Sequence, residues 1–215
     1  RGGRRLLPCF YVTAVSGLVS AGEEPDGLRG PHRLHAGAGE HEVRVAGEQT
    51  IHHVEIPTPQ RGTAIHYRVA TDGQRSETFA FQTCPEDGVR VAVVGDWAYA
   101  RRPNLTALKA DKPHLLMTAG DNVAQVINPS QPGDTRYIQP YLNLIRSEAE
   151  LFATTPFMPI TGNHDKQVGP RENKRPGTST EVYDIAATAF RTVFALPDPG
   201  WRWAFTIRGR RTATT

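Results

Sequence analysis

Asp96, Asp121, Asn163, His164 and Asp165 are the residues whose types and spacing could do chemistry. They end three similar stretches: Val91-Ala92-Val93-Val94-Gly95-Asp96, Leu115-Leu116-Met117-Thr118-Ala119-Gly120-Asp121-Asn122 and Phe157-Met158-Pro159-Ile160-Thr161-Gly162-Asn163-His164-Asp165. Carboxylate and amide oxygens beside an imidazole suit a hard or borderline divalent cation, or a pair of them. A carboxylate can bridge two ions, an amide oxygen adds a neutral ligand, and an imidazole ligates or moves a proton. Two ions about 3.5–4 Å apart clamp the attacking and leaving oxygens of a displacement at phosphorus.

Such groups work only if something brings them together. Each apolar run reads as a short buried strand, of the kind found in parallel sheets covered on both faces. In open parallel sheets, ligands bind beyond the carboxyl ends of the strands. The pattern therefore predicts one sheet edge carrying all five residues. The glycine before each group predicts a tight turn with positive φ, or a close backbone approach. Three Asx turns would explain the aspartates, but not a histidine after Asn163.

The order GD, GDN, GNHD resembles the calcineurin-like metallophosphoesterase superfamily. Gly95-Asp96-Trp97 and Gly120-Asp121-Asn122 resemble its purple acid phosphatase-like branch. The likeness covers Val89 to Asp165 and thins out on both sides. It implies a pair of divalent or trivalent metal ions, Fe, Mn or Zn, and hydrolysis of a small phosphorylated substrate by metal-activated water. Asp96 would bind the first ion, Asp121 would bridge both, and Asn163 would bind the second. His164 would stand over the phosphate, and Asp165 would orient His164 by a hydrogen bond. Asn122 fits a turn residue as well as a site residue.

The sequence also departs from that pattern. The resemblance implies later histidine blocks, yet no histidine follows His164. The expectation is a chain that ends partway through the catalytic domain. Ala124 stands where the purple enzymes carry a tyrosine, and Ala98 where the wider superfamily carries a histidine. A second hypothesis follows, a secreted non-catalytic binding protein with a degenerate phosphoesterase domain.

The 215 residues suffice for one large domain or two small ones, and 38% are hydrophobic, which excludes a disordered composition. A formal net charge of +3, with the positive charge scattered apart from Arg1–Arg5 and from Arg208, Arg210 and Arg211, gives no case for nucleic acid. Cys9 and Cys84 form neither a disulfide framework nor a Cys-x-x-Cys motif. No apolar run reaches the roughly 20 residues of a membrane span. Glycine-rich nucleotide-binding motifs are absent.

Residues 1–21 admit two readings. One is a secretory signal, with Arg1, Arg4 and Arg5 before an apolar region and Val19-Ser20-Ala21 as a cleavage site; that predicts a secreted or periplasmic protein. The other takes Phe10 to Val15 as a first strand. Residues 22–36, rich in Gly, Pro and charge, read as a linker or an irregular edge.

From Ala38 short alternating strands follow at regular spacing: 42–45, 51–56, 64–69 and 78–83. Such spacing predicts a small antiparallel sandwich; the run Tyr67-Arg68-Val69, a turn, then Phe79-Ala80-Phe81-Gln82-Thr83 resembles a fibronectin type III-like β-sandwich, which would span residues 22–86 with Tyr67 as a packing tyrosine. The adjacent His52 and His53 point to opposite faces of a strand and cannot share an ion.

Residues 87–215 read as α/β, the first half of a metallophosphoesterase sandwich in a chain that is α+β overall. Asn104 would cap a short helix ending at Lys109. Ile138, Tyr141, Leu142, Ile145, Leu151 and Phe152 predict one amphipathic helix over 137–152. Residues 128–136 and 166–180 read as loops beside the site, and Trp201 to Ile207 as a strand. The oligomeric state has no signature.

Overall fold

A computed structural model describes the backbone of residues 11–15, 32–37, 40–45, 51–55, 61–71, 74–97, 105–169 and 182–195. The alternating N-terminal segments form antiparallel strands: β1 (Tyr11–Val15), β2 (His32–Gly37), β3 (Glu40–Val45), β4 (Ile51–Glu55), β5 (Ala64–Thr71), β6 (Gln74–Arg75) and β7 (Phe79–Gln82). β1 pairs with β4, while a second sheet runs β3-β2-β5-β6 with β7 also on β5. The core here is Val54, Ile65, Tyr67, Ala70 and Phe81. His52 is buried and His53 exposed, as strand alternation requires.

β2 corrects the linker expected over 22–36. His32–Gly37 pairs along its length with β3 and also with β5. Its sequence, His-Arg-Leu-His-Ala-Gly, offers a single large apolar residue, so no alternation marks it. The strand is specified by pairing partners on both sides rather than by its own side chains.

The sheet that positions the site is built from β8 (Val91–Val94), β9 (Leu115–Thr118) and β10 (Phe157–Met158). All are parallel, in the order β10-β9-β8. Ala92, Leu116 and Phe157 are register partners on one face, and Val93, Met117 and Met158 on the other. The first face is the core face. Leu116 is fully buried there, which contributes about 2 kcal/mol.

The second face departs from the two-sided burial expected of parallel strands. Val91 is 41% and Val93 65% exposed, and no described element covers them. The short apolar run said "strand" without saying how many of its faces are packed.

The core face packs on helices α2 (Gln139–Ser147), α3 (Ala149–Thr154) and α4 (Thr188–Val193); α1 (Thr106–Asp111) links β8 to β9. Asn104, the expected cap of α1, lies outside the described residues, and so do Ala98 and Trp201 to Ile207. The single helix expected over 137–152 is two helices, broken at Glu148 (φ −128°, ψ 38°). Glu148 leaves helical geometry, and the chain resumes as a second helix that buries Leu151.

An aromatic chain runs under the sheet. Trp97 stacks on Phe152 (5.8 Å), Phe152 meets Phe157 (4.8 Å), Phe157 meets Phe194 (5.7 Å), and Phe194 meets Tyr141 (5.4 Å). Edge-on ring pairs of this kind add about 0.5–1.5 kcal/mol each beyond burial. The N-terminal strands join this body through Tyr67, whose hydroxyl donates to Ala153 O at 2.7 Å. Ala153 is in the last turn of α3, where carbonyls lack helical partners. Burial pushes the Tyr67 phenol pKa well up, so the donor stays protonated.

Candidate metal centre

Each of the three parallel strands ends in one of the motif blocks. Asp96 follows β8, Asp121 follows β9, and Asn163 and His164 follow β10. The tips are in contact. Asp96 N donates to Gly120 O at 3.3 Å, and Ala119 N to Val94 O at 2.8 Å. The Asp121 Oδ1 oxygen accepts the His164 amide at 3.1 Å.

The glycines do different jobs. Gly120 has φ +104°, and a Cβ on it would lie 2.9 Å from the Cα and N of Gly162. A Cβ on Gly162 would run into the Asp121 carboxylate. These two glycines let the second and third blocks touch backbone to backbone. Gly95 is looser: a Cβ there would meet Ala119 Cβ at an ordinary 3.6 Å.

In the first block the positive φ falls not on the glycine but on Asp96, at 51°; Asp121 takes 54° in the second. Left-handed backbone costs a non-glycine residue about 1 kcal/mol, and aspartate tolerates it better than most. Two aspartates held alike in a sparsely populated region, at adjacent strand tips, mark a site where geometry outranks local preference.

Asp165 is the hub of the arrangement. It is buried to 1% exposure. Its Oδ2 accepts hydrogen bonds from Gly162 N (2.8 Å), Asn122 Nδ2 (3.1 Å) and Asn122 N (3.2 Å). Its Oδ1 accepts from the Tyr141 hydroxyl at 3.1 Å. A buried carboxylate is thus satisfied by neutral donors.

His164 is half-buried, and its Nδ1 lies 2.7 Å from Ala124 O. A carbonyl only accepts, so Nδ1 carries the proton. Asp165 therefore fixes His164 through the turn that carries it, while the ring is aimed by a backbone carbonyl of the second block.

Asn122, left undecided between turn and site, is a structural tie. Its Oδ1 accepts from Thr118 Oγ1 at 2.6 Å, and its Nδ2 donates to Ile160 O at 2.8 Å as well as to Asp165. Thr118 Oγ1 in turn accepts Ile160 N at 3.2 Å. The second and third blocks are stitched together by buried side chains.

The sequence reading missed Thr118 and Tyr141 as parts of this network. Both occupy positions that read as ordinary core, and a hydroxyl at such a position was the available signal. Burial and the Asp165 charge push the Tyr141 phenol pKa far up, so its hydroxyl remains a donor.

Next to the site, the loop after Asn122 is held by Val126 N to Gln167 O (3.0 Å) and Gly133 N to Val168 O (2.8 Å). It is therefore tied to the segment after Asp165. The expected rim over 166–180 is described only to Gly169.

Asp96, Asp121 and Asn163 offer oxygen donors suited to a hard divalent cation, but only part of the six or more such an ion takes. Among the described residues no group of three His, Cys, Asp or Glu side chains could hold a metal ion. Also among them, no helix is long and apolar enough to cross a membrane.

Residues 89–204 match the family model Metallophos, described as calcineurin-like phosphoesterase. No curated protein matches the chain. A solved structure titled "Structure of PhoD" is similar at a TM-score of 0.45 and 16% identity, over 74% of this chain. The chain spans 38% of the length of that structure.

Proposed function

Because the chain belongs to the calcineurin-like phosphoesterase family, we propose that it serves the hydrolysis of small phosphate esters at the edge formed by Asp96, Asp121, Asn163 and His164. One observation carries the reading: three parallel neighbouring strands end on the three blocks, and Asp121 is hydrogen-bonded to the amide of His164. A local turn explanation of the aspartates requires no such convergence.

Divalent cations bound by members of this family supply Lewis acidity toward a phosphoryl oxygen and toward water. Asp96 would hold one ion, Asn163 a second, and Asp121 would stand between them. The chain's own contribution at the leaving group is His164. With the Nδ1 proton committed to Ala124 O, Nε2 is the nitrogen left to meet the departing oxygen, and it would pass on a proton that it takes up from solvent. The purple acid phosphatase-like branch is the finer reading, supported by Gly95-Asp96-Trp97 and Gly120-Asp121-Asn122. The antiparallel pairing of the N-terminal strands, with Tyr67 in their core, supports a fibronectin type III-like domain there.

Calorimetric titration with Mn²⁺, alongside hydrolysis of p-nitrophenyl phosphate, tests the assignment. Asp121→Asn should weaken Mn²⁺ binding by at least about tenfold and remove turnover, since ligand loss exceeds the effect of losing a supporting contact. Turnover retained in Asp121→Asn sinks the assignment.

The partial donor set among the described residues favours a second reading, a phosphoesterase domain that binds without catalysis. Mn²⁺ binding with no turnover in the unaltered chain selects it.

A further inference from the structure

The network around Asp165 reaches beyond the motif blocks to a helix that none of them includes. We propose that Tyr141, in α2, is a positioning residue for the candidate centre: through Asp165 it holds the Gly162–His164 turn closed against Asp121. The hydroxyl of Tyr141 shares its proton between Asp165 Oδ1 (3.1 Å) and Asp165 O (3.2 Å). It thus grips both the side chain and the backbone of the residue next to His164. The other carboxylate oxygen of Asp165 takes the Gly162 amide at 2.8 Å, which closes the turn. The His164 amide, on the same turn, is then presented to Asp121 Oδ1 at 3.1 Å.

The grip is rigid because the ring is itself fixed. Tyr141 is fully buried, edge-on to Phe190 (6.0 Å) and Phe194 (5.4 Å). Phe194 continues the aromatic chain that reaches Trp97, the residue after Asp96. Tyr141 is therefore tied to the third block by its own hydrogen bonds, to the second through the bonds of Asp165 with Asn122, and to the first through the chain of packed rings. With its proton retained across the working pH range, it acts as a constant donor and not as a titrating group.

The test is Tyr141→Phe in the full chain, which deletes the hydroxyl and keeps the ring. Its partner is Phe190→Leu, which loosens the same ring cluster without touching Asp165. In metal-free, ¹⁵N-labelled protein, Tyr141→Phe should speed hydrogen exchange at the Gly162 and His164 amides by about tenfold, the scale of one lost hydrogen bond. The His164 ring resonances should move as well. Phe190→Leu should leave both unchanged relative to its global stability.

Mn²⁺ affinity is a second readout, expected to fall several-fold in Tyr141→Phe alone; this readout, unlike the first, rests on the phosphoesterase reading. Exchange rates and His164 resonances in Tyr141→Phe that match the unaltered chain, or that match Phe190→Leu, overturn the proposal. Failure of the unaltered chain to bind Mn²⁺ would count against the functional reading and leave the metal-free comparison decisive for Tyr141.

Discussion

The tips of β8 and β9 carry the same dipeptide, Gly-Asp, with the aspartate in the same left-handed conformation, yet their surroundings differ. Asp96 is exposed, and its amide reaches Gly120 O at a long 3.3 Å. Asp121 is half-buried, its carboxylate engaged by His164, between Gly120 pressed on Gly162 and the buried Asn122. Local sequence sets the backbone shape at both tips. Rigidity comes from what neighbouring blocks supply, and they supply it to Asp121 far more than to Asp96. The three strand tips thus have a firm side, built from the second and third blocks, and a looser side at the first.

The sharpest way to break this contrast is to remove the hub of the firm side. Asp165→Ala leaves the donors on Gly162, Asn122 and Tyr141 buried without their acceptor. The expected loss is about 3 kcal/mol or more, read by urea denaturation. A loss below about 1 kcal/mol would show that the hydrogen bonds do not make the difference.

Next in size is a paired alanine scan of the glycines. Gly162→Ala drives a methyl into the Asp121 carboxylate and should cost about 2 kcal/mol. Gly95→Ala finds ordinary room against Ala119 and should change stability by less than about 1 kcal/mol. Equal costs at the two positions would erase the distinction between the sides.

The smallest effect compares the buried carboxylate with one near the surface. Burial raises the Asp184 pKa, but hydrogen bonds from Thr188 and Ala186 outweigh it and leave the pKa below the ordinary 3.8. Because the folded value is depressed, the stabilisation is present above pH 3.8 and is lost as pH falls through the folded value. Asp184→Asn should slightly lower stability near neutrality and flatten the acid limb of the profile, the two proteins converging at low pH. An unchanged acid limb would show that these bonds contribute nothing.

The meeting of the three blocks was legible because each block is local. An apolar run, a glycine and a donor are adjacent in sequence, and parallel strand tips gather them. The neighbours that stiffen the site were not legible. Tyr141 reads as one more inward position of an amphipathic helix, and only coordinates show its hydroxyl on Asp165. Asn122 was undecided because its partners lie partly in its own block, Thr118, and partly in the third, Ile160 and Asp165. β2 escaped for a related reason: its partners, and not its own residues, make it a strand. The left-handed turn was expected at a glycine in each block, and Asp96 took it instead, since aspartate bears that conformation at modest cost.

The break at Glu148 has a mechanical consequence. An α-helix turns about 100° per residue, so one irregular residue re-aims everything beyond it. Ahead of the break, α2 directs Tyr141 toward the candidate centre; after it, α3 offers Ala153 O to Tyr67 of the N-terminal strands. The bend works as a crankshaft with two throws, and adding or deleting a single residue there would turn one throw away from its bearing.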